Sequence, residues 1–139
     1  FCGYNMAQYF KHWLNMGKLM AKPPKIFHVN WFRTDDAGSF LWPGFCENLR
    51  ILEWILDRCN NKVNALTTPI GYIPRASDID LTGITLADRA LEKLLKVDKE
   101  EWLDELKGIH KFFGDFKKDL PKELTGEYNA LMGRLKKYG

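Results

Sequence analysis

The sequence predicts an α/β fold with few strands followed by mostly helices, and three observations predict it. Aromatic and β-branched side chains crowd residues 26–32, the composition of a strand. Apolar residues recur at helical spacing through residues 5–16 and 47–59, and again in three segments beyond residue 85. Hydrophobic residues make up 45% and charged residues 28% of the 139, which is the balance of a folded chain long enough to bury one core.

The first helix is expected over Asn5–Met16. Asn5 is a competent N-cap, Tyr9, Trp13 and Met16 follow at helical steps, and Gly17 can close the last turn. Lys18–Lys25 reads as a linker because Pro23-Pro24 forbids helix. Ile26–Phe32 is the best strand pattern in the chain. Asp35-Asp36-Ala37-Gly38 turns it, and a second extended piece, Phe40-Leu41-Trp42, stops at Pro43-Gly44, as in a hairpin-like excursion.

Glu47–Cys59 carries a stripe of Leu49, Leu52, Ile55, Leu56 and Cys59, widened by Ile51 and Trp54, and is expected as an amphipathic helix ended by Asn60-Asn61. Ala65–Ile84 is expected to be irregular, since Pro69, Gly71, Pro74 and Gly83 interrupt it. Thr85 can cap a helix to about Lys96, with Leu86, Ala90, Leu91, Leu94 and Leu95 inward. Asp98-Lys99-Glu100-Glu101 has capping-box spacing and opens a helix bearing Trp102, Leu106, Ile109 and Phe113. Asp119-Leu120-Pro121 opens the last, with Leu124, Tyr128, Leu131 and Leu135 on one face.

These helices after so little strand make a poor architecture by themselves. The start at Phe1-Cys2, without Met and without the basic and apolar regions of a secretory leader, likewise reads as internal to a longer polypeptide. No apolar run reaches the roughly 18 residues of a membrane span, so no membrane partner is expected. The net charge of +3 gives a weak field, and residues 46–110 are net acidic, so no nucleic-acid partner is expected either. Cys2, Cys46 and Cys59 form no CxxC pair and are expected as free thiols in a reducing compartment.

Glycine-rich phosphate loops, GxSxG and HExxH are absent from these residues. His12 and His110 sit on expected helices and read as solvated, whereas His28 faces opposite to Phe27 and Val29. Asp35-Asp36 reads as a turn, Asp78 and Asp80 as loop carboxylates, and Glu100, Glu101, Asp104 and Glu105 as a solvated helix face. No metal ligands and no catalytic residues are assigned among them.

The stretch from 31 to 45 stands apart. Trp31, Phe32, Phe40, Trp42 and Phe45 fit no single helix or strand period. They can be core, or they can form a slot for a planar ligand, where stacking contributes roughly 1–3 kcal/mol per base. Choice among bases then needs a donor–acceptor group at the ring edge, and Asn48 is such a group.

At this stretch the sequence resembles the C-terminal region of GTP-dependent phosphoenolpyruvate carboxykinases. The resemblance is carried by Pro24–Arg33, by Phe40-Leu41-Trp42-Pro43-Gly44-Phe45-Cys46-Glu47-Asn48, by Gly3-Tyr4-Asn5 with Tyr9 and His12-Trp13, by Thr68–Pro74 and by Asp119-Leu120-Pro121, in family order and spacing. It implies the C-terminal part of the nucleotide-binding lobe of a bilobal carboxykinase. Residues 1–139 would be a partial domain: 1–62 with the aromatic guanine-slot loop, 63–84 a crossing loop and 85–139 a helical tail.

The resemblance also implies an enzyme that converts oxaloacetate and GTP to phosphoenolpyruvate, CO2 and GDP, using Mn2+ and Mg2+. Phe32 and Phe45 would be the stacking faces, Phe40 the edge and Asn48 the group addressing guanine. The phosphate loop, the metal ligands and the substrate-binding arginines of the family lie upstream of this segment. The chain alone is therefore expected to be inactive and to need the remainder of the same polypeptide, in a monomeric, cytoplasmic parent with a mitochondrial form left open. Cys46 departs from the family, which usually has Gly there. Were a positive φ required, the pocket edge would shift. The alternative is a non-catalytic protein-interaction module using the aromatic loop 31–45.

Overall fold

A computed structural model describes residues 3–87 and 89–138. The chain divides into two compact units, one formed by Phe1–Pro24 with Asp98–Gly139 and the other by Lys25–Val97.

The first unit is helical. Helix α1 spans Met6–Leu19, and the Asn5 side chain caps it by accepting from the Ala7 N–H at 2.9 Å. It runs past Gly17, which does not close it. A glycine costs a helix about 1 kcal/mol relative to alanine but stops nothing unless the chain turns left-handed there. Tyr9 and Trp13 lie on the exposed side, ring edge to ring face, and Ala7 is the buried residue of the helix.

Helix α2 (Asn48–Cys59) and helix α3 (Ala90–Leu95) belong to the second unit. Helix α4 (Lys99–Gly114) starts where Asp98 accepts from the N–H groups of Glu100 and Glu101, and helix α5 (Lys122–Lys137) follows Pro121. Both keep the expected stripes. Leu106 is buried and Trp102, Ile109 and Phe113 are half-buried, while Leu135 is fully enclosed among half-buried Leu124, Tyr128 and Leu131. Phe10 meets Phe116 edge-on at 5.5 Å, Asn5 donates to Asp119, and Lys18 pairs with Glu123 at 2.9 Å.

In the second unit Ile26–Phe32 is not a strand: it carries no regular secondary structure and bends at Trp31, where Phe32 N–H donates to Asn30 Oδ1 at 2.9 Å. Its alternation survives in burial, with Phe27, Val29 and Trp31 half-buried and Ile26, His28, Asn30 and Phe32 exposed. A strand also needs a hydrogen-bonded neighbour, and the described residues give this stretch only the bridge Thr34↔Phe40 just beyond it.

The sheet lies where irregular chain was expected. Strands β1 (Leu66–Thr68) and β2 (Gly71–Ile73) pair antiparallel around Pro69-Ile70, with Thr68 opposite Gly71. β-Branched residues on one side, Tyr-Ile on the other and two residues between them are hairpin signals. Of the residues that marked the segment as broken, Pro69 sits in the turn and Gly71 opens β2.

Helix α2 begins after a 3-10 turn, Phe45–Glu47, and buries only the widened edge of the expected stripe, Trp54 with half-buried Ile51 and Ile55. Trp54 is buried against Phe27, whereas Leu49, Leu52, Leu56 and Cys59 are exposed. Both sides of this helix are apolar, so periodicity could not choose between them. The choice follows Trp54 and the two arginines beside it, which find carbonyl oxygens on the inner side. The helix expected from Thr85 is shortened to α3, because Arg89 has φ 55° and a right-handed helix cannot propagate through it. The intervening Asp88 lies outside the described residues, as does the expected third thiol, Cys2. Cys46 and Cys59 are free and exposed.

The fold class is as the sequence predicts, a short sheet followed by mostly helices. Among the described residues no helix is long and apolar enough to cross a membrane.

Candidate functional site

The aromatic stretch is organised by a tight turn. The Asp35 carboxylate accepts from the N–H groups of Ala37 and Ser39, both at 2.9 Å, and Gly38 N–H donates to the Asp35 carbonyl. Around the turn Asp35 N–H donates to Ser39 O and Leu41 N–H to Arg33 O, which brings the chain at Phe40 alongside Thr34. The rings of Phe32 and Phe40 then meet edge to face, with centroids 6.1 Å apart at 63°. The Arg33 guanidinium fastens this arm to the end of α3 by donating to the Leu94 and Lys96 carbonyls.

The five large rings of the stretch divide by environment. Trp42 is 4% exposed and packs 6.4 Å from half-buried Trp31, so these two serve the core. The three phenylalanines do not. Phe32, Phe40 and Phe45 are 74%, 64% and 89% exposed. Phe32 and Phe40 are brought together, whereas Phe45 stands at the head of the 3-10 turn without a ring partner among the described residues.

Gly44 makes that turn. Its φ of 120° and ψ of −165° belong to a region essentially reserved for glycine. Cys46, two residues on, has no positive φ, so the departure from the family's usual glycine imposes no backbone strain. Asn48 is the first residue of α2, and its side-chain Oδ1 accepts from the Trp42 indole N–H at 2.9 Å.

Arg50 fixes this helix start to the loop beyond β2. Its Nε lies 2.6 Å from Glu47 Oε2, Nη1 donates to the Asp80 carbonyl and Nη2 to the Thr82 carbonyl. Hydrogen bonds from the Thr82 side chain and backbone, with Arg50 as a smaller contribution, hold the Asp80 carboxyl below its ordinary range. Sequence reasoning missed both Arg50 and the Trp42–Asn48 bond. The Glu47–Arg50 pair has the i,i+3 spacing of a helix and could have been found, whereas the Arg50 bonds to the Asp80 and Thr82 carbonyls and the Trp42–Asn48 bond join residues whose separation carried no signal.

The other candidates remain apart. His12, His28 and His110 are exposed, Asp35 serves its turn, Asp78 accepts from Arg75 N–H, and Asp104 pairs with Lys107. Among the described residues no three His, Cys, Asp or Glu side chains come together to hold a metal ion. These residues therefore do not fit the implied Mn2+ or Mg2+, and no chemical step is derived through either.

Comparison with known proteins identifies the lineage. The family model of the phosphoenolpyruvate carboxykinase C-terminal P-loop domain matches residues 1–134. A phosphoenolpyruvate carboxykinase (GTP) of Neocallimastix frontalis is 48% identical over 139 residues, covering 98% of this chain and 23% of the relative. The enzymes of the same name from Chlamydia caviae and Thermoplasma volcanium are 46% identical over 138 residues and 43% over 135. The chain thus spans less than a quarter of the length of these relatives, 22% in the last case. Across nearly its whole length, the chain belongs to the GTP-dependent phosphoenolpyruvate carboxykinase family, in its C-terminal P-loop domain.

Proposed function

We propose that residues 31–48 are the guanine-binding wall of a GTP-dependent phosphoenolpyruvate carboxykinase, within the C-terminal portion of its nucleotide-binding domain. The observation that carries this is the division of the aromatic stretch: two tryptophans turn inward, and three phenylalanines are left exposed in the segment that leads into the asparagine starting α2. Exposed rings in such density call for a partner. A purine between them gains roughly 1–3 kcal/mol by stacking. In this assignment Phe32 and Phe45 are the faces, Phe40 is the edge and Asn48 reads the base.

The complete polypeptide would decarboxylate and phosphorylate oxaloacetate with GTP, giving phosphoenolpyruvate, CO2 and GDP. Phosphoryl transfer depends on positioned phosphates and divalent cations. The ligands for Mn2+ and Mg2+ would come from outside these residues, as would the groups that hold oxaloacetate. This segment contributes base recognition and no catalytic residue, in a monomeric, cytoplasmic enzyme.

The test is base selectivity in the chain itself. GDP should quench the fluorescence of Trp31 and Trp42 more than ADP does at equal concentration. Equal quenching by the two, or none by either, would overturn the assignment and favour a protein-docking role for the same loop.

A further inference from the structure

We propose that Trp42 is a specificity-determining residue that fixes the polarity of Asn48, so that the amide meets a purine as a hydrogen-bond donor and selects a 6-oxo over a 6-amino base. This deepens the guanine-wall assignment and rests on it.

An asparagine amide is ambiguous by itself, since its oxygen accepts, its nitrogen donates, and the two exchange by a half-turn of the side chain. Here the ambiguity is removed by the neighbour. The partner 2.9 Å from the amide is the indole Nε1 of Trp42, which can only donate. The atom facing it must therefore be Oδ1. Reversing the amide would set two donors against each other, and Trp42 is too deeply buried for water to relieve its N–H. Trp42 cannot swing away either, because it packs against Trp31 and the chain beyond it is set by Gly44.

Asn48 Nδ2 makes no hydrogen bond among the described residues, while the Asn48 backbone N–H is already used by the Phe45 carbonyl. What the side chain has left to offer strongly is thus a donor. Guanine presents an acceptor at position 6, where adenine presents an amino group. A donor at this edge pairs with guanine and opposes adenine. Stacking on the phenylalanines contributes to both bases alike, so this amide is where the discrimination lies.

The experiment measures the dissociation constants of GDP and ADP by titration calorimetry on the complete polypeptide carrying these residues, as wild type, Trp42→Phe and Asn48→Asp. The wild type should prefer GDP. Trp42→Phe keeps an apolar ring but frees the amide to reverse, and the GDP-to-ADP preference should fall about tenfold. Asn48→Asp leaves Trp42 its acceptor but replaces the remaining donor by a carboxylate oxygen. GDP should then weaken and ADP strengthen, so that the preference moves toward ADP.

Asn48→Asp also decides the geometry should Trp42→Phe fail to fold. If the amide instead presented its oxygen to the N1–H and amino edge of guanine, a carboxylate there would bind GDP as well as or better than the wild type. That result would overturn the inference, as would a folded Trp42→Phe protein with an unchanged preference. A wild type without preference for GDP is a distinct outcome, and overturns the guanine wall along with the inference.

Discussion

Phe45 is the most exposed of the three phenylalanines, and nothing among the described residues explains a large ring kept there. As a stacking face it should contribute on the order of 1–3 kcal/mol. Phe45→Ala in the complete polypeptide should accordingly raise KM for GTP about tenfold while that for oxaloacetate hardly moves. An unchanged KM for GTP would remove Phe45 from the wall. A second residue-scale effect lies away from the site. Lys18, which donates to Glu123, holds that carboxyl below its ordinary value of 4.5, and so ties α1 to α5. A depressed carboxyl stabilises the fold above its unfolded value and loses that contribution as the pH falls through its folded one. Lys18→Met should therefore lower the urea midpoint slightly at pH 7, and the difference should vanish in acid. The pair is solvent-exposed, so the effect is small and salt-sensitive. A difference undiminished at acid pH would assign it to packing instead.

The 3-10 turn Phe45–Glu47 shows how one backbone conformation governs an element. Gly44 stands at φ 120°, and an added Cβ would meet nothing within 4 Å, so its constraint is conformational and not steric. Gly44→Ala should cost about 1–3 kcal/mol of stability through that strain, read as a lowered urea midpoint, and should weaken GDP binding because the turn carries Phe45. A variant matching the wild type in both would mean that the turn tolerates an ordinary φ. Elements specified by local chemistry were legible in the sequence. The Asn5 and Asp98 caps, the Asp35 turn and the stripes of α4 and α5 all stand where the residues put them. Where two local patterns competed, sequence reasoning failed. Helix α2 offers apolar residues on both sides, and the hairpin β1–β2 was hidden by the proline and glycine that build it. The candidate wall was legible as a cluster of rings; residue types left open which of the five turn outward, and only the resemblance singled out Phe32, Phe40 and Phe45, the three that are exposed.

At the scale of the whole molecule, the chain covers under a quarter of its relatives' length, and each of its two units carries exposed large apolar side chains. On helix α2 alone, Leu49, Leu52 and Leu56 face outward. Because the family resemblance places the phosphate loop, the metal ligands and the substrate-binding arginines upstream of these residues, the purified 139-residue chain should produce no phosphoenolpyruvate from oxaloacetate and GTP. Steady-state formation of that product by the chain alone would refute the assignment of chemistry to the rest of the polypeptide.

What the sequence by itself determined is the family, the helical caps and stripes, and the presence of a ring-rich stretch ending in Asn48. All of these are written in residue types at short, regular separations. Only the tertiary structure decided that Ile26–Phe32 forms no ladder, that Trp54 is buried while Leu52 is exposed, and that the Trp42 indole donates to Asn48. The physical reason is common to the three. Each depends on which partner a group finds across space, and a hydrogen bond or a buried face is satisfied by a neighbour whose place no local period encodes.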